Sequence, residues 1–513
     1  MPQARELPGF YYDPEKRRYF PIKGPIPGSS SKVKTPILKS PQTPSNQLQE
    51  RSESCCRKAS KLLQARELDG NHVTSHHCKR NFTEEFRKIQ ASQPVVWKYK
   101  GTNRIGISAL EHLHVDVQTP EGQCETDVLL TGSVNGSLSF SDVGRVGHYL
   151  DGGVTGVKWM PDCVKNYAKG KTVEHNEVPG PLFRPNGASL HISSRISCIR
   201  LGPKCSSLAV NDGPVVGNAL FTTLGSETSG GSVYTLGLVE PLDLGFGILN
   251  TWSRLEEIAS FKCTLWTAEY DYNRHRAIIG TNRGGASVDL ETGMTSWFLH
   301  CRSDVFAQQI VNSGNVVLCG LRNGAIVNVD FREKRERLSS RLITHRIPYT
   351  SSEKNAGGSN KEWFKLTGAI YPSQTIRMPS SISCLVSLQF DDQYFLASSM
   401  DGSMRLYDRR LLQRGAVQSY VGHMNSHTHI QLGVDPAERF VMSGGEDCYL
   451  RLWSIKSGEL LFEDKFSDSV LSTVCYQTCT SSFKAEVENQ YKRGSSLGAW
   501  LGSQEGLYYM HWL

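Results

Sequence analysis

Three groups of residues in this 513-residue chain have types and spacings that bear on chemistry. The first is Cys55, Cys56, His72, His76, His77 and Cys78, a set of thiols and imidazoles that zinc would accept. Their spacing fits no standard tetrahedral framework, so no metal is expected there. Cys475 and Cys479 lie four apart in a run that reads as strand and are expected to pack. The second group is Val329-Asp330-Phe331-Arg332 and Tyr407-Asp408-Arg409-Arg410. A carboxylate two residues before an arginine can hold the planar guanidinium in a fixed fork, leaving donors for a partner. The same pair could simply brace a turn. The third group is His423, Ser443, Asp447 and Trp453, whose polar atoms can bond in series and so satisfy one another inside a fold. That role is structural. There is no Gly-x-Ser-x-Gly elbow, no phosphate loop and no HExxH helix, so no catalytic residue and no cofactor is expected.

The composition bounds what can position these groups. Apolar residues make up 38% and charged residues 21%, enough for a large core, and no run approaches the ~20 apolar residues of a membrane span. The first 22 residues lack a basic stretch followed by an apolar one, so no secretory signal is expected. The 14 cysteines are then reduced thiols of a nuclear and/or cytoplasmic protein. On the same ground the acceptor sequences at Asn81 and Asn135 are discounted as glycosylation sites. The net charge of +7 is uneven: the first hundred residues carry about +10 and the rest about −3. A basic arm on a near-neutral body is not the pattern of a wholly basic nucleic-acid binder.

The arm divides into three. Residues 1–22 hold two aromatic runs, with Phe10, Tyr11 and Tyr12 before Asp13-Pro14-Glu15-Lys16 and Tyr19 and Phe20 after it. The middle reads as a turn, and the five rings are expected to dock on the body or a partner rather than stay in water. Residues 23–54 are rich in Ser, Pro, Lys, Thr and Gln and cannot bury enough surface to order themselves. Thr35-Pro36, Ser40-Pro41 and Thr43-Pro44 there are either phosphorylation sites or plain linker. Residues 55–92 predict two short helices, one carrying Leu62, Leu63 and Leu68, the other Phe82, Phe86 and Ile89. Both are too short to be stable unpacked.

From residue 94 the pattern is all strand. A hairpin of two apolar strands around a polar turn recurs seven times, at residues 129–143, 219–238, 276–290, 316–332, 394–410, 439–455 and 499–513. Spacings near 40–45 residues are those of four-stranded propeller blades, stretched here by insertions at 160–193, 334–378 and 478–496. The sixth copy, with His423, Ser443, Asp447 and Trp453, resembles a WD40 blade. The seventh ends in its third strand and lacks an outer one. Val95-Val96-Trp97-Lys98-Tyr99 is expected to supply it. Residues 94–513 are thus predicted to form an all-β, seven-bladed WD40 propeller closed by an N-terminal donor strand.

The two Asp-x-Arg ends resemble the WDxR signature of WD40 substrate receptors of cullin-4 RING ubiquitin ligases, with Val329 and Tyr407 in place of tryptophan. Lys61-Leu62-Leu63-Gln64-Ala65-Arg66-Glu67-Leu68-Asp69-Gly70 resembles the short helical box by which several such receptors enter their adaptor. Glu6 to Phe20 resembles the N-terminal signature of the type 4 cullin-4-associated factors, also called the WD repeat protein 21 branch. The resemblance implies a non-catalytic receptor. Asp330, Arg332, Asp408, Arg410, Leu62, Leu63, Arg66 and Leu68 would meet the damaged-DNA-binding protein 1 adaptor. Cullin-4 and the RING subunit would follow through it, and a protein substrate would sit elsewhere on the propeller. The alternative is a WD40 scaffold for RNA or ribosome assembly, favoured by the basic arm and the loop 331–346. A lack of aromatic stacking surface opposes nucleic acid as a partner, and no membrane contact is expected.

Overall fold

A computed structural model describes residues 10–13, 18–21, 72–75, 78–119, 122–144, 156–164, 178–202, 216–226, 228–243, 248–311, 314–332, 344–348, 363–367, 375–477 and 498–512. The chain divides into two compact units, residues 1–64 and 65–513. In the first, Phe10–Asp13 pairs antiparallel with Arg18–Pro21, Tyr11 opposite Phe20 and Tyr12 opposite Tyr19. Of the turn expected at Asp13-Pro14-Glu15-Lys16, all but Asp13 lies outside the described residues.

The second unit is a seven-bladed β-propeller. Each expected hairpin supplies the second and third strands of one blade. In blade three, Leu265–Asp271, Arg276–Thr281, Gly284–Asp289 and Thr295–His300 follow one another as a meander. Blades five and six repeat this order, with third strands Met404–Asp408 and Tyr449–Ser454. Blade four has Val305–Val311, Val316–Leu321 and Ala325–Asp330, and takes its fourth strand, Thr375–Arg377, from beyond the long insertion. Part of that insertion is a separate hairpin of Thr344–Pro348 with Trp363–Thr367.

Apolar residues on both faces of these strands bury themselves between neighbouring blades. Phe395, Ala397 and Tyr407 of blade five, for instance, join Leu318 and Ile326 of blade four in one cluster. Turn chemistry fixes the registers. Gly136, at φ +81°, closes the blade-one hairpin where a side chain would strike the Ile192 carbonyl, so only glycine fits.

The ring closes as the unfinished seventh copy requires. Gly506–Trp512 pairs antiparallel with Pro94–Tyr99, Met510 opposite Val96 and Trp512 opposite Pro94. Val96 and Tyr99 are buried, and Trp97 Nε1 donates to His511 Nε2 at 3.0 Å. The insertion after blade one is partly sheet: Pro161–Cys163 adds outside the donor strand, while Gly156–Trp159 and Leu182–Pro185 extend blade one. Just before the donor strand runs the expected second helix, Phe82–Ala91, capped by Asn81, whose Oδ1 accepts from Thr83 N at 3.0 Å. It lies against blade six and the closing strand. Trp512 Nε1 donates to the Ala91 carbonyl at 2.8 Å, and Lys456 pairs with Glu84 at 3.0 Å.

On the innermost strands Arg200 of blade two reaches Glu111 of blade one and Glu269 of blade three, each at 3.2 Å. Burial pushes both carboxyls up and the guanidinium opposes it.

Candidate partner-binding rim

The turns between first and second strands and those between third and fourth strands lie at one end of the propeller. Arg332 and Arg410 sit on this rim in adjacent blades, each two residues past the aspartate that ends a third strand. Their geometry is the same. Asp330 Oδ1 accepts from Arg332 N at 2.8 Å and Nε at 3.0 Å, and Oδ2 accepts from Nη2 at 2.6 Å. Asp408 Oδ1 accepts from Arg410 N at 2.9 Å and Nε at 3.1 Å, and Oδ2 from Nη2 at 2.9 Å. Hydrogen bonds from the arginines hold both carboxyls below the usual carboxylate range. The side chains of Arg332 and Arg410 remain 63% and 60% exposed, whereas those of Asp330 and Asp408 are 17% and 5% exposed. The carboxylate therefore anchors and the guanidinium is presented.

The surroundings fix each fork. Asp408 caps the short 3-10 helix Arg409–Arg414, which sets the backbone angle of Arg410. Tyr407, at the position where the receptor signature has tryptophan, is buried and stacked on Phe395 with ring centroids 5.5 Å apart. Val329 is half-buried. Phe331 lies under the Arg276 guanidinium, 4.0 Å from its ring centroid, and against Phe298.

Apolar side chains stand on the same rim. Phe390, in the first turn of blade five, is 68% exposed, and its backbone N–H donates to Glu438 of blade six at 3.0 Å. Tyr272, Met294 and Leu411 are exposed nearby along blades three and five. Sequence alone did not single these out, because exposure depends on which turn carries them. An arc of anchored arginines with exposed Phe, Tyr, Leu and Met has the composition of a protein-binding surface.

The other expected site residues fall as follows. Leu62, Leu63, Arg66 and Leu68 lie outside the described residues, as do Cys55, Cys56, His76, His77 and Cys479. Phe10, Tyr11, Tyr12, Tyr19 and Phe20 lie on the paired strands of the first unit, and where their rings dock is outside what is described. Among the described residues no group of three or more His, Cys, Asp or Glu is placed to hold a metal.

The blade-six series is made in part. His423 Nε2 meets Ser443 Oγ at 3.2 Å and the Gly444 carbonyl at 3.1 Å. The two ends differ from the expected chain. Trp453 Nε1 donates to the Val421 carbonyl at 2.9 Å, and Asp447 is drawn to the Arg451 guanidinium, with Nη1 at 3.0 Å. A charged donor four residues along the chain outcompetes a neutral imidazole for a carboxylate. The His423 ring packs edge-on to Trp453, with centroids 6.3 Å apart.

The WD domain, G-beta repeat profile matches residues 371–408 and 415–454, each match running from the outer strand of one blade through the three inner strands of the next, from blade four into five and from blade five into six. Over 473 residues the chain is 25% identical to human DDB1- and CUL4-associated factor 4, covering 89% of this chain and 78% of that protein. The chain is a WD40-repeat protein related to DDB1- and CUL4-associated factor 4. The Bos taurus protein of the same name is 23% identical over 462 residues, again 89% of this chain and 78% of its own length. Human DDB1- and CUL4-associated factor 4-like protein 2 is 28% identical over 159 residues, 31% of this chain and 32% of its own. These WD40 relatives and the propeller fit an adaptor or receptor that does no chemistry itself.

Proposed function

We propose that this WD40 protein is a non-catalytic substrate receptor that binds the DDB1 adaptor and, through it, cullin-4 and its RING subunit. The observation that carries the proposal is the pair of identical Asp–Arg forks, Asp330–Arg332 and Asp408–Arg410, presented side by side on one rim. The relatives' names supply the partner class. Two guanidiniums held in fixed planes lose little freedom on docking and suit backbone carbonyls or carboxylates of a partner. Exposed Phe390, Leu411 and Tyr272 would add the apolar contact that such arginines alone lack. The helical box with Leu62, Leu63, Arg66 and Leu68 would supply a second attachment in the helix-in-groove manner. The receptor's contribution is proximity: it would hold a substrate lysine near a ubiquitin-charged enzyme.

The direct test is binding of the purified full chain to purified DDB1, followed by the same measurement with Arg332→Ala/Arg410→Ala. Saturable binding that weakens in the variant while the fold persists supports the proposal. Absence of binding by the intact chain refutes it.

A further inference from the structure

The opposite rim is built from the turns between second and third strands and from the connections between blades. Its charges are segregated around the ring. From blade one to blade four these segments present Arg195, Lys262, Arg283, Arg302 and Arg322, all exposed. The described residues of the same segments contain one carboxylate, Asp304, which pairs with Arg322 at 3.1 Å. Glu227 lies outside the described residues. Among the described residues Arg195, Lys262, Arg283 and Arg302 form no ion pair. From blade five to blade seven the segments hold Asp401, Glu446, Asp447, Asp468 and Glu505, and cations return only in the connection from blade seven to blade one, where Lys100 pairs with Asp162 and Arg104 N donates to the Gln504 carbonyl at 3.1 Å.

Backbone hydrogen bonds join the basic segments into one arc. The Arg195 carbonyl accepts from Leu224 N at 2.8 Å, Cys263 O from Gly231 N at 3.0 Å, and Thr264 O from Asn282 N at 3.2 Å. Asp304 O accepts from Arg322 N at 2.8 Å. The cations are therefore carried on neighbouring, rigidly linked turns. Four uncompensated cations side by side repel one another, a cost that an anionic ligand would relieve.

We infer that this basic arc, from Arg195 to Arg322, binds an extended protein segment carrying several anionic side chains. The inference rests on the receptor proposal only in taking that segment to be the recognised part of a substrate. A chain of about ten residues spans roughly 33 Å when extended, long enough to follow the arc. Arginine-rich surfaces pair with carboxylates and phosphates through paired N–H donors. A long polyanion such as RNA fits less well. It would run on into the carboxylates of blades five to seven, of which Asp401 and Glu446 carry no lysine or arginine partner among the described residues, and none of the described exposed aromatic residues stands in the basic turns to stack a base.

The test uses the full chain and labelled 12-residue peptides of one backbone sequence: Asp/Glu-rich, neutral, and phosphoserine-bearing. A single-stranded RNA of similar charge is the fourth probe. The expected result is that an anionic peptide binds at least about tenfold tighter than the neutral one, with affinity falling as salt rises. The Glu-rich and phosphoserine arms tell which anion is preferred. Arg195→Glu/Lys262→Glu/Arg283→Glu/Arg302→Glu should abolish the preference, and the same four changed to Gln should reduce it, with melting temperature and DDB1 binding retained in the Gln variant. Equal affinity for anionic and neutral peptides overturns the inference, and so does tighter binding of the RNA. Loss of DDB1 binding by the unmodified chain would sink the receptor proposal and leave the peptide result standing.

Discussion

Arg410 folds back on Asp408, so that its backbone N–H and its guanidinium bond to the same carboxylate, and Arg332 does the same with Asp330 one blade earlier. A side chain with several free rotors is thereby reduced to one pose before any partner arrives. The forks are exposed, so they add little to the stability of the propeller. Their value lies in pre-organisation.

That division of roles gives the first prediction. Arg332→Ala/Arg410→Ala should weaken DDB1 binding by about tenfold or more while leaving the melting temperature nearly unchanged. Asp408→Asn should weaken binding less, since the arginine survives and only its anchor is weakened. Calorimetric titration alongside thermal melts separates these effects. Phe390→Asp should lower affinity to a similar extent as one arginine.

Asp142 gives a prediction with a definite sign in pH. Burial pushes its carboxyl up to about 6, against the hydrogen bond donated by Thr126 at 2.7 Å, and the neighbouring Asp127 charge adds to the rise. A carboxyl raised in the folded state disfavours folding when ionised. The cost is full above pH 6 and fades as pH falls toward the unfolded value near 4. Asp142→Asn should therefore stabilise the protein by about 2 kcal/mol at pH 7.5 and by less than about 1 kcal/mol at pH 4.5. Urea melts at the two pH values check it, and equal effects at both would refute it.

Arg200 is expected to matter for stability through what its removal leaves behind. Arg200→Leu strands Glu111 and Glu269 on the innermost strands without their shared cation. A loss of about 2 kcal/mol is expected, below the figure for a fully buried pair because all three side chains keep some water. Adding Glu111→Gln and Glu269→Gln should recover much of it. A triple variant no better than the single one would show that packing, not charge, sets the loss.

Truncation tests the closure. A chain starting at residue 78 keeps the helix Phe82–Ala91 and the donor strand and should melt as a cooperative propeller. One starting at residue 101 exposes the edge of Gly506–Trp512 and loses the buried Val96 and Tyr99. It should be destabilised by more than about 4 kcal/mol and aggregate. Soluble expression with a normal melt from the shorter chain would refute the role of the strand.

Much of this was legible in the sequence because it is written locally. The seven hairpins show as alternating residues around Gly and Asn turns, and the forks as a two-residue spacing. The donor strand followed from one blade being a strand short. What escaped was encoded at long range. Arg200 meets partners 89 and 69 residues away, with no pattern to announce them. Pro161–Cys163 joins the seventh blade, although its sequence neighbours belong to the first. In blade six the reason is local: Arg451, four residues beyond Asp447, is a charged donor that takes the carboxylate in place of His423. The exposed Phe390 could be recognised only once its turn had a place on a rim.

The pairing of Pro94–Tyr99 with Gly506–Trp512 also sets an order of events during synthesis. The strand that fastens the ring is among the first propeller segments to leave the ribosome, and its mate is the last of the described strands to be made. For some 400 residues of elongation Val96 and Tyr99 have no permanent place, and six blades accumulate with an open seam. A stop codon or cleavage anywhere before blade seven thus yields an unsealed ring rather than a smaller propeller. Only a product that runs from Pro94–Tyr99 through Gly506–Trp512 carries the closed circle of turns on which both rims depend.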